Sequence, residues 1–535
     1  MAAARTGRIA LVGFEDQDNL GLRYLSSTLR SRGHDTRIVK LGASATDVAR
    51  HLHAYRPDVV GFSLIFQYLL PVFADLVAGL RREGMTAHFT IGGHFPSFEP
   101  AQTLHAIAGL DSVVRFEGED ALAELTEAIL AGGCWQDVAG IAWRDGDHVS
   151  MSPARTGRAD LDEFPWPDRD DIRYEQQRIP TASILGGRGC PWRCSFCSIV
   201  TFYDGNGTKG RRRRDITRIV DEIEYLRDRG VRVLLWQDDD FLAGGRAGVR
   251  WAHDIARECV ARGLHRELRW KISCRSDEIK PGVLDPLVEA GLTHVYMGVE
   301  AGDAEALQRM NKRLSPDIHL RAGEILRELR LSFDFGFMLL EPWSTFATVR
   351  SNLEFLRRFV GDGAAVACFC RTLPYAGTPI AVQLAAEGRI DPTDLQADYA
   401  FQDPKLDRFY DWLLGTFAER NHTASGTVNL LRHLLFETRL HFDDAPDNGM
   451  MRAAVEGLAA VSNRTMIDCV EAAADYVEQT EAIDPAVLDA IAAQHHTEDR
   501  RLNRDAMRLY DRLPLLQRDT FTSRLGEQRQ VGVGA

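Results

Sequence analysis

Cys190, Cys194 and Cys197 stand in the order C-x-x-x-C-x-x-C within GGRGCPWRCSFCSIV, on a glycine-rich stretch directly after an apolar strand signal. Three thiolates so spaced can hold three irons of a cubane cluster and leave the fourth iron open to another ligand. Structural zinc is the plainer alternative, but it calls for two close pairs or a fourth nearby Cys or His, and none follows before Cys259. Nine cysteines, an odd count with three of them inside eight residues, point to metal binding in a reducing compartment rather than to a disulfide framework. Charged groups recur farther on. WQDDDF carries Asp238, Asp239 and Asp240, Arg275 follows KISC, and Glu300 closes YMGVE. Any one of the aspartates could instead cap a helix or sit in a solvated loop. A carboxylate such as Glu300 needs a polar partner, because burying it unpaired costs several kcal/mol. Arg275 could pair with Glu300 or with a substrate carboxylate, and a plain structural salt bridge serves it equally well.

The elements that must position these residues fall into three stretches. From residue 7 to about 140, apolar runs such as RIALVGF, DTRIVKL, DVVGFSLIF and HFTIGGH alternate with amphipathic stretches such as LGLRYLSSTLRSRG. That alternation predicts an α/β domain with a doubly wound, flavodoxin- or Rossmann-like parallel sheet over 1–140. Residues 141–180, with EFPWPDRDD at their centre, read as an extended linker. A second βα series over 181–390 predicts a partial (β/α)6 barrel, whose chemistry would sit at the C-terminal ends of its strands. Beyond it, over 391–535, strand signals vanish and the 3.6-residue apolar period predicts a mainly α-helical C-terminal domain with a frayed tail.

Bulk properties narrow the function classes. The 535 residues are 45% hydrophobic and 26% charged, the profile of an ordinary globular protein. With 64 Lys plus Arg against 77 Asp plus Glu, the net charge of -13 offers no electrostatic reason to bind nucleic acid. The apolar stretch near the N-terminus is too short for a signal peptide, and no segment reaches the roughly 18 apolar residues of a spanning helix. A cytoplasmic protein with neither a membrane nor a nucleic-acid partner is the expectation.

The cysteine motif, with aromatic Phe196 immediately before the third cysteine, resembles the radical S-adenosylmethionine (radical SAM) superfamily. GVEAG around Glu300 and the RTLPYAGTPI turn extend that resemblance from about residue 182 to 390. It implies a 4Fe-4S cluster on Cys190, Cys194 and Cys197, with S-adenosylmethionine chelating the open iron. One electron, from an external donor such as flavodoxin or ferredoxin, would then cleave it to methionine and a 5′-deoxyadenosyl radical. Asp238 or Asp239 would lie near the amino group of S-adenosylmethionine, and Glu300 would bond its nucleoside or amino acid part. Upstream, TIGGHFPSFEP followed by DSVVRFEGEDALAEL is similar to the cobalamin (vitamin B12) domain of one large subclass. In that subclass the corrin would lie over the C-terminal edge of the sheet, on loops such as those holding Gly21, Ser63, Gly92, Gly93 and His94, and would face the cluster across the barrel mouth. Small residues there suit a flat macrocycle. One departure stands out: the D-x-H-x-x-G motif that supplies a histidine to cobalt elsewhere is absent. His94 is a poor substitute, being more readily a loop hydrogen-bonder. The subclass implies C-methylation of an unactivated carbon through methylcobalamin, on a small-molecule natural product or a peptide. Cyclisation or rearrangement without methyl transfer is the alternative.

Two other classes fit less well. Methylthiotransferases of transfer RNA carry three more cluster cysteines upstream, where only Cys134 precedes the motif here. A non-catalytic cobalamin or cluster sensor would have no use for the carboxylates at the strand ends. Cys368 and Cys370 read as core packing, Arg211 to Arg214 as a solvated or salt-bridged face with an anion patch as the alternative, and His433 and His441 as structural.

Overall fold

The computed structural model describes residues 5–15, 18–41, 45–177, 179–391, 395, 398–440 and 448–512. His441 and the tail after residue 512 lie outside the described residues. The first seven strands are β1 (Arg8–Gly13), β2 (Asp35–Lys40), β3 (Val59–Ser63), β4 (His88–Gly92), β5 (Ser112–Val114), β6 (Ile141–Asp145) and β7 (His148–Met151). They form one sheet in the order β2-β1-β3-β4-β5-β6-β7. The ladders from β2 to β5 are parallel. Near-continuous apolar runs such as IALV and VVGF are what a strand buried on both faces requires. One face packs Val48, Leu52, Phe73, Leu76 and Leu104, and the other packs Leu22, Leu29, Leu122 and Leu125. The doubly wound expectation therefore holds. The strand order reverses between β1 and β3, and at such a switch point the loops leaving the carboxyl ends open a crevice.

Residues 141–151, expected as the start of a linker, instead form the antiparallel hairpin β6–β7 that extends this sheet. The remainder of the expected linker is anchored rather than merely draped. Arg169 is almost fully buried and reaches Asp18 at 3.2 Å and Glu222 at 3.0 Å.

The later strands are β8 (Thr181–Ile184), β9 (Gly187–Arg188), β10 (Arg212–Arg213), β11 (Val233–Trp236), β12 (Arg269–Arg275), β13 (Leu292–Glu300), β14 (Ser332–Leu340) and β15 (Cys370–Arg371). Six of them form a half-barrel in the order β15-β14-β13-β12-β11-β8, and β9 and β10 pair as a short antiparallel ribbon. Along β14, Phe333, Phe335 and Phe337 turn outward against Phe355 and Phe359 of the helix Phe346–Val360. The strand period of two then sends Ser332, Asp334, Gly336 and Met338 to the inner face. The C-terminal region is helical, with Pro404–His422, Thr427–Leu440, Asn448–Gln479 and Pro485–Tyr510. Its third helix is tied to Phe346–Val360 by Arg350 on Asp475 and by Arg357 on Glu471.

The chain forms two compact units: Met1–Ile172 with Ser183–Glu222 and Leu373–Asp398, and Arg173–Ala182 with Ile223–Thr372 and Tyr399–Ala535. Neither is a continuous segment of sequence. Among the described residues no helix is long and apolar enough to cross a membrane.

Candidate active site

In the first unit the cysteine loop leaves β9 through Gly189, whose φ is +90°. A Cβ there would stand 2.2 Å from the carbonyl oxygen of Gly210, so the loop can lie this close to its neighbour only with glycine. Cys190, Cys194 and Cys197 are each half-buried and none is in a disulfide. The Cys197 amide turns back onto the Cys194 carbonyl at 3.3 Å, and the Ile380 amide donates to the Ser195 carbonyl at 2.9 Å. Phe196 is half-buried between them. This all-thiolate donor set fits a cubane, which assigns each thiolate to a separate iron.

A buried ion network fastens the loop to the seven-stranded sheet. Arg188 donates to Glu117 and Glu119 at 2.7 Å each. Arg212 meets Glu117 at 2.8 Å, and the Asn206 amide meets its other oxygen at 2.6 Å. Burial works against the Glu117 carboxylate, but the two guanidiniums outweigh it and hold its pKa below the ordinary value. Arg214 likewise reaches Glu222 at 2.7 Å. Of the two forms expected for the Arg211 to Arg214 run, a solvated or a salt-bridged face, Arg212 and Arg214 take the salt-bridged one, buried or nearly so against carboxylates.

At the carboxyl edge of the sheet, Ser63 and Gly92 are register partners at the ends of β3 and β4. Gly93 has φ +113°, and a Cβ on it would stand 2.1 Å from the Leu64 carbonyl oxygen. Gly21 lies exposed in the first turn of the helix Leu20–Ser31. Between them the structure adds a feature the sequence reading did not name. Ile65, Phe66, Tyr68 and Val72 are 46%, 40%, 43% and 45% exposed, an unusual concentration of exposed large apolar groups within one short stretch of chain. Phe66 stacks on Tyr68 at 5.7 Å and leans on Tyr375 at 5.4 Å. A flat apolar patch beside glycine-lined loops at a topological switch point fits the face of a corrin. The signal in sequence was the run SLIFQYLLPVF, whose length exceeds what its strand could bury.

His94 is engaged elsewhere. Its ring stacks on Phe202 at 4.3 Å, and Nδ1 lies 3.3 Å from Ser198 Oγ, next to Cys197. Burial pushes its pKa down to about 4, so it is a neutral ring bracing the cysteine loop.

In the second unit, Asp238 and Asp240 are buried beyond the end of β11, while Asp239 is exposed. Asp240 hydrogen-bonds Glu278, whose pKa burial and the Asp240 charge push up to about 9. The pair shares a proton near neutral pH. Glu300 sits at φ +71°, beyond a register shift between Gly298 and Glu300. Left-handed backbone in a non-glycine residue stores strain and re-aims the side chain. The cation that meets it is not Arg275. Lys312 Nζ lies 3.0 Å from Glu300 Oε1, whereas Arg275 turns to Asp277 at 3.0 Å and to the Lys312 carbonyl at 2.8 Å. The reason is local: the turn Ser276–Glu278 follows Arg275 at once and puts a carboxylate within its reach. Cys370, expected in the core, is solvent-accessible, and its thiol donates to the Phe337 carbonyl at 3.6 Å. His433 pairs with Glu437 at 2.5 Å.

Two family models match the chain, the B12 binding domain over residues 9–126 and the radical SAM superfamily over residues 184–351. The chain is 30% identical over 366 residues to the hopanoid C-3 methylase of Methylococcus capsulatus, covering 67% of each sequence. Its fold is similar to that of OxsB, a cobalamin-dependent S-adenosylmethionine radical enzyme. The TM-score is 0.69 at 16% identity, over 98% of this chain and 84% of that one. It is also similar to the radical S-adenosylmethionine methyltransferase TsrM of Kitasatospora setae, with a TM-score of 0.61 at 20% identity over 72% and 76%. With a B12 binding domain ahead of a radical SAM domain, the chain belongs to the cobalamin-dependent radical SAM enzymes, whose cofactors are a 4Fe-4S cluster, S-adenosylmethionine and cobalamin.

Proposed function

We propose that this enzyme C-methylates an unactivated carbon of a small-molecule natural product or a peptide. The observation that carries the reading is that the cysteine loop and the glycine-lined apolar edge of the sheet belong to one compact unit, fastened by Arg188, Glu117, Glu119 and the His94–Phe202 stack. Bound there, the cofactors supply a carbon-centred radical and a transferable methyl group. The rest is positioning by this chain. Cys190, Cys194 and Cys197 hold the cluster. The apolar surface of Ile65, Phe66 and Tyr68 carries the corrin, with Gly21, Ser63, Gly92 and Gly93 allowing close approach. In the second unit, Glu300, oriented by Lys312, accepts from hydroxyl or ammonium groups of S-adenosylmethionine, and buried Asp238 serves its amino group.

The test is anaerobic reconstitution with iron, sulfide and cobalamin, followed by reduction in the presence of S-adenosylmethionine. 5′-Deoxyadenosine is expected from the native protein and only background from Cys194→Ala. A cluster-loaded native protein that leaves S-adenosylmethionine intact would falsify the enzyme reading. Cobalt content and the visible spectrum test the second half, and iron loading without cobalt uptake would overturn methyl transfer through cobalamin. With a turned-over substrate, a product heavier by one methylene separates methylation from cyclisation.

A further inference from the structure

The inner face of the half-barrel carries a group of charges that the roles above leave unused. Lys271, His294 and Ser332 are register neighbours across β12, β13 and β14, as are Ser273, Tyr296 and Asp334 one step farther along. The helix Thr427–Leu440 closes this end by placing Phe436 edge-on against His294 at 5.2 Å and Arg432 Nε 3.4 Å from Asp334. Interior faces of such barrels are usually filled with side chains, yet this one stays open. Tyr296, on the central strand, is 39% exposed, and Asp334 and Arg432 keep 21% and 25% of their side-chain surface. Glycines help to make the room, since a Cβ on Gly336 would stand 2.6 Å from the Tyr296 hydroxyl.

The charges in this space do not cancel. Asp334 is the carboxylate, and Arg432 already neutralises it. His294 donates no charge, because burial pushes its pKa down to about 4 while Nδ1 lies 2.5 Å from Ser332 Oγ. Lys271 then remains as a second cation. Half-buried, it makes no direct ion pair with a described residue; burial depresses its pKa, the Asp334 charge works against that, and the Arg432 charge adds to it. Two cations thus share the one Asp334 carboxylate, and a partly desolvated ammonium left with half a counter-charge is costly unless something else supplies the rest. Arg432 keeps further donors of its planar fork beyond Nε, the geometry that receives a carboxylate or phosphate.

We propose that Lys271 and Arg432 form the floor of the substrate site and bind an anionic group, a carboxylate or a phosphate, of the substrate. This rests on the enzymatic reading above and narrows its substrate class. His294, the register partner of Lys271, precedes Glu300 on β13, so the floor lies below the strand end that carries Glu300. The substrate is therefore an organic anion with its charged end on the floor and its reacting carbon toward the strand ends.

The experiment measures binding of phenyl phosphate, benzoate and neutral benzyl alcohol to the full-length reconstituted protein by calorimetry. At least one anion is expected to bind at least about tenfold more tightly than benzyl alcohol, the scale of one charge-assisted hydrogen bond. Which of the two prevails assigns phosphate or carboxylate. Lys271→Met and Arg432→Met are each expected to remove about tenfold in anion affinity, and Lys271→Arg to retain it within about threefold. Anions binding no better than benzyl alcohol, or a folded Lys271→Met protein with native anion affinity, overturns the proposal. Should a methionine variant fail to melt cooperatively, the native anion preference and its loss with added salt decide alone. Formation of 5′-deoxyadenosine by the native protein without any probe is read in parallel. Its absence counts against the enzymatic reading and leaves the anion result standing.

Discussion

Single residues in this chain do chemistry according to what surrounds them, and Glu278 is the clearest case. Burial first, and then the neighbouring Asp240 charge, push its carboxyl up to about 9 from the ordinary 4.5, because both disfavour the ionised form. The folded state thus keeps a proton that the unfolded chain releases. Its contribution to stability is complete below the ordinary glutamate value and is lost as pH rises toward about 9. Glu278→Gln keeps a hydrogen-bond donor and removes the titration. Urea unfolding at several pH values is therefore expected to show the variant gaining on the native protein as pH rises from about 5 to 9. A constant difference would show that the pair does not share a proton. Glu278 and Lys312 were invisible in the sequence, and Asp240 was legible only as one of three carboxylates, since each is an ordinary charged residue whose partner comes from another turn of the fold. The three cysteines were legible for the opposite reason. Cluster chemistry fixes both the residue type and the spacing, so the motif needs no structure to be seen. Arg275 marks the limit between the two: its type was informative, but the partner depended on the turn Ser276–Glu278 directly after it.

Elements hold these residues by backbone as much as by side chain. The parallel strands were readable because burial on both faces forces unbroken apolar runs, as in IALV and VVGF. The hairpin β6–β7 was legible in principle, since Gly146 and Asp147 form a two-residue Gly-Asp loop between apolar stretches. The charges of the following segment drew the reading toward a linker. At the edge of the same sheet, Gly93 lets the loop after β4 cross the Leu64 backbone. With φ at +113° and only 2.1 Å to the Leu64 carbonyl oxygen for any Cβ, alanine there must shift the loop. Gly93→Ala is expected to lower unfolding stability by about 1–3 kcal/mol, the usual range for a strained backbone position. If the corrin rests on this edge, cobalt uptake falls with it while iron loading on the cysteine loop persists. A variant that takes up cobalt normally would move the macrocycle away from Gly92 and Gly93.

At the scale of the whole molecule, the chain passes repeatedly between two compact units, so neighbours in space are remote in sequence. That is why the compact units cut across the boundaries expected at residues 140, 180 and 390. The first unit joins the sheet to the cysteine loop through Arg188, Glu117 and Glu119, residues some 70 positions apart whose side chains are 8%, 7% and 7% exposed. Such a buried network is weak evidence of net stability, because both partners lose hydration when they pair. Breaking one side is different. Arg188→Met leaves Glu119 without its guanidinium in a buried setting and is expected to cost about 3–5 kcal/mol. Glu117 keeps Arg212, so the loss falls mainly on the strand ribbon that leads into Cys190. Iron loading is accordingly expected to drop in Arg188→Met along with the melting temperature. Adding Glu119→Gln to the same variant removes the stranded charge and should recover much of the stability. Iron loading should recover less, because the neutral pair no longer draws Arg188's segment onto the sheet. Equal recovery of both quantities would make the network a structural clamp alone, and recovery of neither would mean that Arg188 acts through packing against Tyr24 and Phe164, over whose rings it lies at 5.0 and 5.2 Å.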